Sequence, residues 1–196
     1  MPETPGSPAA RRDPTGRTTT VNTQVRIIVC REEDVDRLEL RIPSPGENRL
    51  HARRFGRQQE GLSTYLVAWL NDVPVGSGEI RWGGCAAAEV QAAYPGCPEV
   101  NGLSVWPPEL RSQGIGTALL RAAEQRVREH GDALIGLGVN DDNPAAAALY
   151  LRLGYQETGC HYLDRYDYLD ADGARHQAAD PSRFLVKPVD GGTTMT

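Results

Sequence analysis

Apolar residues recur along this chain with two periods, and each change of period marks a new element. Short runs rich in β-branched and aromatic residues occupy positions 25–30, 64–70, 73–82, 99–105 and 133–139. Runs of that length, bounded by turn residues, predict strands. Asn71-Asp72 turns the chain between the second and third, which predicts a hairpin. From position 115 the spacing lengthens: Ile115, Leu119, Ala122, Ala123 and Val127 share one helical face, and Gly131 ends the run. Three further helices are expected. One starts at Glu32 behind acidic residues and is interrupted by Pro43 and Pro45, and one is polar and arginine-rich over 50–60. The third covers 145–153, with Asn143 as its cap, Pro144 in its first turn and Gly154 at its end. Positions 155–159 and 182–188 read as the last two strands, with a turn at Asp172-Gly173 between them. Positions 83–97, including Tyr94-Pro-Gly, read as an irregular loop.

Pro2, Pro5, Pro8 and Pro14 among small polar residues make 1–23 an expected disordered N-terminal tail. The domain then covers 24–190, and 191–196 is a C-terminal tail. Gly76 and Gly78 within the third strand predict a bulge or a close backbone approach. Arg53, Arg54 and Arg57 lie close on one helical surface, either a solvated face or the border of an acceptor pocket.

At 196 residues the chain suits one domain with an ample core. Its net charge of −5 argues against generic nucleic-acid binding and is compatible with a cationic acceptor such as an amine. Met1 to Thr20 has no apolar stretch, and no run approaches membrane-spanning length, so a cytoplasmic protein with no membrane association is expected. Cys30, Cys85, Cys97 and Cys160 form no Cys-x-x-Cys pair, and the four histidines are scattered, so no metal site is expected and the thiols read as reduced.

The chemistry concentrates at the junction between the fourth strand and the long helix. Pro107 and Pro108 stop the strand, and Arg111-Ser-Gln-Gly114-Ile-Gly116 leads into the helix. A glycine turn feeding a helix presents unpaired N–H groups at the positive end of the helix dipole, which suits phosphate. The Walker loop is ruled out because Lys187 is the only lysine, and the dinucleotide fingerprint because Leu119 stands where its third glycine belongs. The remaining pattern, Arg-x-x-Gly-x-Gly after a strand, resembles the acetyl-CoA pyrophosphate loop of the GNAT superfamily of N-acetyltransferases. One strand later, Asn143-Pro-Ala-Ala-Ala-Ala-Leu-Tyr150-Leu-Arg-Leu-Gly154-Tyr155 resembles the second GNAT signature. The likeness spans roughly 25–188.

The resemblance implies an α/β (α+β) fold: a mixed, mostly antiparallel twisted sheet with helices on both faces and a splayed central strand pair. Acetyl-CoA would be the acetyl donor. Leu103, Ser104 and Val105 would hold its pantetheine arm, and Arg111, Ser112, Gln113, Gly114, Ile115, Gly116 and Thr117 would hold its pyrophosphate. Asn143 would touch the arm, and Tyr150 would lie near the sulfur. The implied reaction is direct attack of an amine on the thioester, with Tyr150 donating to the leaving thiolate and the Val105 N–H serving the carbonyl oxygen.

Ribosomal-protein acetyltransferases of the superfamily carry a glutamate on the strand before the asparagine; here that position is Gly138. Histone-type members carry one near the start of the central strand, where Glu99 stands; Glu79 is the alternative base. Two functions follow: an N-acetyltransferase acting on a small-molecule or peptide amine, or a non-catalytic acyl-CoA-binding module. Either leaves room for a homodimer.

Overall fold

The computed structural model describes residues 25–44, 49–170 and 172–189. The two expected tails, 1–23 and 191–196, lie wholly outside them.

Seven strands form one sheet: β1 (Arg26–Val29), β2 (Ser63–Leu70), β3 (Val73–Arg81), β4 (Glu99–Val105), β5 (Leu134–Asn140), β6 (Gln156–Leu169) and β7 (Arg175–Pro188). Their spatial order is β1-β2-β3-β4-β5-β7-β6. Every neighbouring pair is antiparallel except β4–β5. Among the described residues, five α-helices cover the sheet: α1 (Val35–Arg41), α2 (Leu50–Gln59), α3 (Ala88–Ala93), α4 (Ile115–His130) and α5 (Pro144–Arg152). None of the described helices is long and apolar enough to cross a membrane.

Alternation along β2 shows why both faces are covered. Leu66 and Ala68 enter the main core, where α4 packs Ile115, Leu119, Leu120, Ala123 and Val127 against the sheet. Tyr65, Val67 and Trp69 point the other way and meet Leu38 and Ile42 of the α1 region. Further along that second face, Val90 of α3 and Cys85 pack with Tyr162 and Phe184. Between these two patches the second face carries polar side chains instead. Burial of the apolar positions anchors the helices at either end, so the middle of this face is left as a cavity.

Two expectations needed correction. The stretch 83–97 is not wholly irregular: Ala88–Ala93 forms a helical turn and a half, favoured by its alanines and anchored by buried Val90. The last two strands are also much longer than 155–159 and 182–188, at 14 residues each. Most of β6 is exposed, so the one-sided apolar alternation that announces a strand is missing there; pairing with β7 holds it instead.

The centre of the sheet is where the site forms. In β3–β4 the register runs from Ser77 opposite Ser104 to Glu79 opposite Asn101, so β4 carries one extra residue at 102–103. Such a bulge bends its strand and increases local twist. β4 and β5 then pair only at Glu99–Gly136 and Val100–Leu137 and part beyond those residues. The expected splayed central pair is therefore present.

Candidate active site

The glycine turn has the geometry its sequence predicts. Gly114 is the residue before α4 and adopts a left-handed conformation with φ +86°. A side chain there would be strained, while the space a Cβ would occupy is open. No side chain caps α4. Ala118 N–H bonds back to the Gly114 carbonyl, so the preceding amides of Ile115, Gly116 and Thr117 lie ahead of the helical ladder and are available to an anion. Ser112 is also left-handed, at φ +61°, which turns the Arg111–Gly114 segment around the helix end. Arg111 donates from Nε to the Val105 carbonyl at 3.4 Å, tying the turn to the end of β4. These groups fit the pyrophosphate of an acetyl-CoA.

The parted strands adjoin this turn. Trp106 N–H bonds to the Val75 carbonyl, toward β3. Successive amides along a strand point to opposite edges, so the Val105 N–H faces the gap beside β5. Leu103 and Ser104 lie on the same stretch of β4, which is unpaired on its β5 side. On the β5 side Asn143 caps α5, its Oδ1 accepting from Ala146 N–H at 3.1 Å. Tyr150 of α5 is buried, and burial raises its pKa above the usual phenol value, so its hydroxyl keeps its proton at neutral pH.

On the sheet's second face lies a cavity of about 890 Å³. Glu99 and Asn101 of β4, Arg81 of β3 and Tyr162 of β6 line it, with arginines of α2 along one wall. The Glu99 side chain is only 3% exposed, and Arg81 Nη1 lies 3.8 Å from its Oε2. Oε2 has no hydrogen-bond partner. Burial pushes the Glu99 pKa up to about 7, and the nearby Arg81 charge moderates that rise. A carboxyl group poised near neutrality can both bind and release a proton under working conditions.

Glu79 has the opposite character. It is fully buried and takes two hydrogen bonds from Arg57, at 2.8 Å and 2.6 Å. Burial alone would raise its pKa, but the bonds and charge of Arg57, with Arg54 nearby, hold it below the usual carboxylate value. Glu79 is thus a counter-ion for the α2 arginines and a poor proton acceptor. All three arginines line the cavity, with Arg54 buried, Arg57 half-buried and Arg53 exposed. Arg54 is buried, its guanidinium resting over the Tyr65 ring at 5.7 Å and donating to the Gly102 carbonyl at 3.3 Å. Gly102 sits in the β4 bulge at φ +60°, and a Cβ there would collide with that guanidinium.

A model of the acetyltransferase (GNAT) family matches residues 31–155. The chain belongs to this family. An uncharacterized N-acetyltransferase of Methanocaldococcus jannaschii is 38% identical over 50 residues, which cover 26% of this chain and 22% of that relative. Solved structures match over far more of the chain. The ribosomal-protein-S18-alanine N-acetyltransferase of Escherichia coli aligns at TM-score 0.58 and 19% identity, covering 88% of this chain and 99% of that one. A putative acetyltransferase of Salmonella typhimurium, solved with its cofactor acetyl-CoA, aligns at TM-score 0.56 and 18% identity, covering 88% and 98%. At these identities the likeness is one of fold.

Within this GNAT fold the cavity differs from a site built on a β5 glutamate. A Cβ at Gly138 would collide with the Tyr162 hydroxyl and come within 3.9 Å of Glu99. Tyr162 therefore fills the volume such a side chain would need. Sequence reading missed Tyr162, Arg81 and Cys85, which meet at Glu99 from three separate segments. The available signal was polar alternation: Glu79-x-Arg81 and Glu99-x-Asn101 place charge on one face of central strands that should bury apolar groups.

Proposed function

We propose that this GNAT protein transfers the acetyl group of acetyl-CoA to a primary amine of a small molecule or an exposed peptide by direct attack. When bound, acetyl-CoA supplies an acetyl group activated as a thioester. The observation that supports a working enzyme is Glu99, a buried carboxyl group with a pKa raised to about 7 on the floor of a cavity, where β4 and β5 begin to part.

The α4 amides and Arg111 would hold the donor by its phosphates, and the β5-facing edge of β4 at Leu103 and Val105 would orient its arm, the Ser104 amide between them being turned to β3. An ammonium is not a nucleophile, so the acceptor entering from the cavity must lose a proton. Glu99 takes it, directly or through one water. The Val105 N–H faces the gap and stabilises charge growing on the acetyl oxygen. Tyr150, protonated at neutral pH, would donate its hydroxyl hydrogen toward the sulfur as the C–S bond breaks, and the second proton lost by the attacking nitrogen would restore it.

The test is release of CoA thiol across an amine panel, together with a melting scan against acetyl-CoA. Expected are a rise in melting temperature with acetyl-CoA, since a ligand of the native state stabilises it, and thiol release that depends on one class of amine. A melting shift without thiol release from any amine would leave only the acyl-CoA-binding module.

A further inference from the structure

The chain as a whole is acidic, yet the cavity lining contains six arginines against four carboxylates. The charges are also sorted. Arg53, Arg54 and Arg57 come from α2 on one wall, while Glu99 and Asp164 come from β4 and β6. Some of this charge is already matched within the protein. Arg57 is committed to Glu79, and Arg175 pairs with Asp167.

Exposed Arg165 and Glu89 aside, the hydrogen-bonding groups left unfilled lie around one point. Arg81 is 34% exposed and sits 3.8 Å from both Glu79 and Glu99, beyond hydrogen-bond reach of either. Asp164 faces it from β6 and feels its charge. Among the described residues the Arg81 guanidinium makes no hydrogen bond, although it carries five donors. Its neighbour, Glu99 Oε2, is buried and has no hydrogen-bond partner. The Nε of buried Arg54 is also without one. Buried polar groups are otherwise almost always paired, so unmatched donors beside an unmatched acceptor in an open cavity point to a ligand that supplies both.

Resting on the acetyltransferase reading above, we infer that the acceptor is a zwitterionic amine of the amino-acid class, its acidic group bound at Arg81 and its amino group at Glu99. An ammonium and a carboxylate on one carbon are close enough to span two side chains 3.8 Å apart. The carboxylate then fills the Arg81 donors in the forked geometry that guanidinium favours. The ammonium faces Glu99, which removes its proton. A polyamine meets the same carboxylates but leaves Arg81 empty and faces the α2 arginines with like charge.

The experiment compares L-glutamate, L-methionine and O-phospho-L-serine with their α-amides, L-isoglutamine, L-methioninamide and O-phospho-L-serinamide, and with spermidine as a polycation. Each acid is expected to exceed its amide in kcat/KM by about tenfold or more, the scale of one charged hydrogen-bonded pair. The amine of an amide is the less basic, so the chemistry alone favours the amide, and a preference for the acid reports the site. Arg81→Gln should bring the acid-to-amide ratio close to one, and Arg81→Lys should restore part of it; a purely structural role for Arg81 would lower both members of each pair alike. Melting scans of the wild-type protein with each probe in the presence of CoA give a second readout, in which the acids shift the transition and the amides do not. Thiol release that is as fast or faster with the amides or spermidine would overturn the inference and leave the transferase reading standing. No thiol release and no melting shift from any acid would also overturn it, and the acetyl-CoA melting shift reports separately on the donor site.

Discussion

Glu99 offers a quantitative test because one buried carboxyl group links stability and activity through the same proton. Burial lifts its pKa from 4.5 to about 7 in the folded protein. At about 1.4 kcal/mol per pH unit, that rise corresponds to about 3 kcal/mol. The sign follows from proton counting. Below pH 4.5 both folded and unfolded chains hold the proton, and Glu99 costs the fold nothing. Between 4.5 and about 7 the unfolded chain releases it while the folded chain keeps it, so stability falls as pH rises. Above the folded value the loss is complete. Glu99→Gln keeps the shape and removes the titration. In urea melts run at intervals from pH 4 to pH 8.5, the variant should match wild type at the acid end and exceed it by about 3 kcal/mol at the alkaline end. Titrating groups that do not interact with Glu99 are shared by the two proteins and cancel in the difference. Activity should move the opposite way. Wild-type kcat/KM should climb as Glu99 ionises near pH 7. The variant should lose that limb and recover only where free amine is abundant. A stability difference that stays flat with pH would refute the buried-carboxyl argument, and a wild-type pH–rate profile in Glu99→Gln would remove it from catalysis.

Three further outcomes are expected. Gly114→Val should weaken acetyl-CoA binding by calorimetry while far-UV circular dichroism stays native, because a β-branched residue at φ +86° is strained and fills open space beside the α4 amides. Tyr150→Phe should lower kcat with little change in acetyl-CoA affinity, the pattern of an interaction made mainly in the transition state; equal turnover would return the ring to core packing alone. Glu79→Gln should destabilise the fold by about 3–5 kcal/mol in denaturant melts at pH 7, since it strips the counter-ion from buried Arg54 and paired Arg57. Because the Glu79 pKa is lowered, its contribution is present above the ordinary carboxylate range and fades as pH falls through the folded value, so the variant's deficit should shrink in acid.

Local patterning was enough for most of the elements. The period along 115–130 named the buried face of α4, and Ile115, Leu119, Ala123 and Val127 are all in the core. The caps at Asn143 and Gly131 and the left-handed Gly114 were also legible, because caps and turns depend on residues close in sequence. The glycine turn belongs to this class. Its unpaired groups are backbone amides ordered by a short run of chain.

Tertiary structure decided how the buried carboxylates differ. Glu99 could be read as an ordinary strand-edge carboxylate or a base, and Glu79 could be read as its rival. What separates them is burial and the company each keeps, set by α2 arriving from 20 residues upstream of Glu79 and by the β6 strand arriving from 60 residues beyond Glu99. Arg57 neutralises one carboxylate, whereas desolvation raises the pKa of the other. The same holds for Tyr162, which occupies the volume beside Gly138, and for Arg81, whose unfilled donors matter only because β4 places Glu99 next to them. A proton affinity depends on the dielectric and charges within a few ångströms. Those neighbours come from distant parts of the sequence, so the chain alone fixed which carboxylates were available, and the fold determined which one could act as a base.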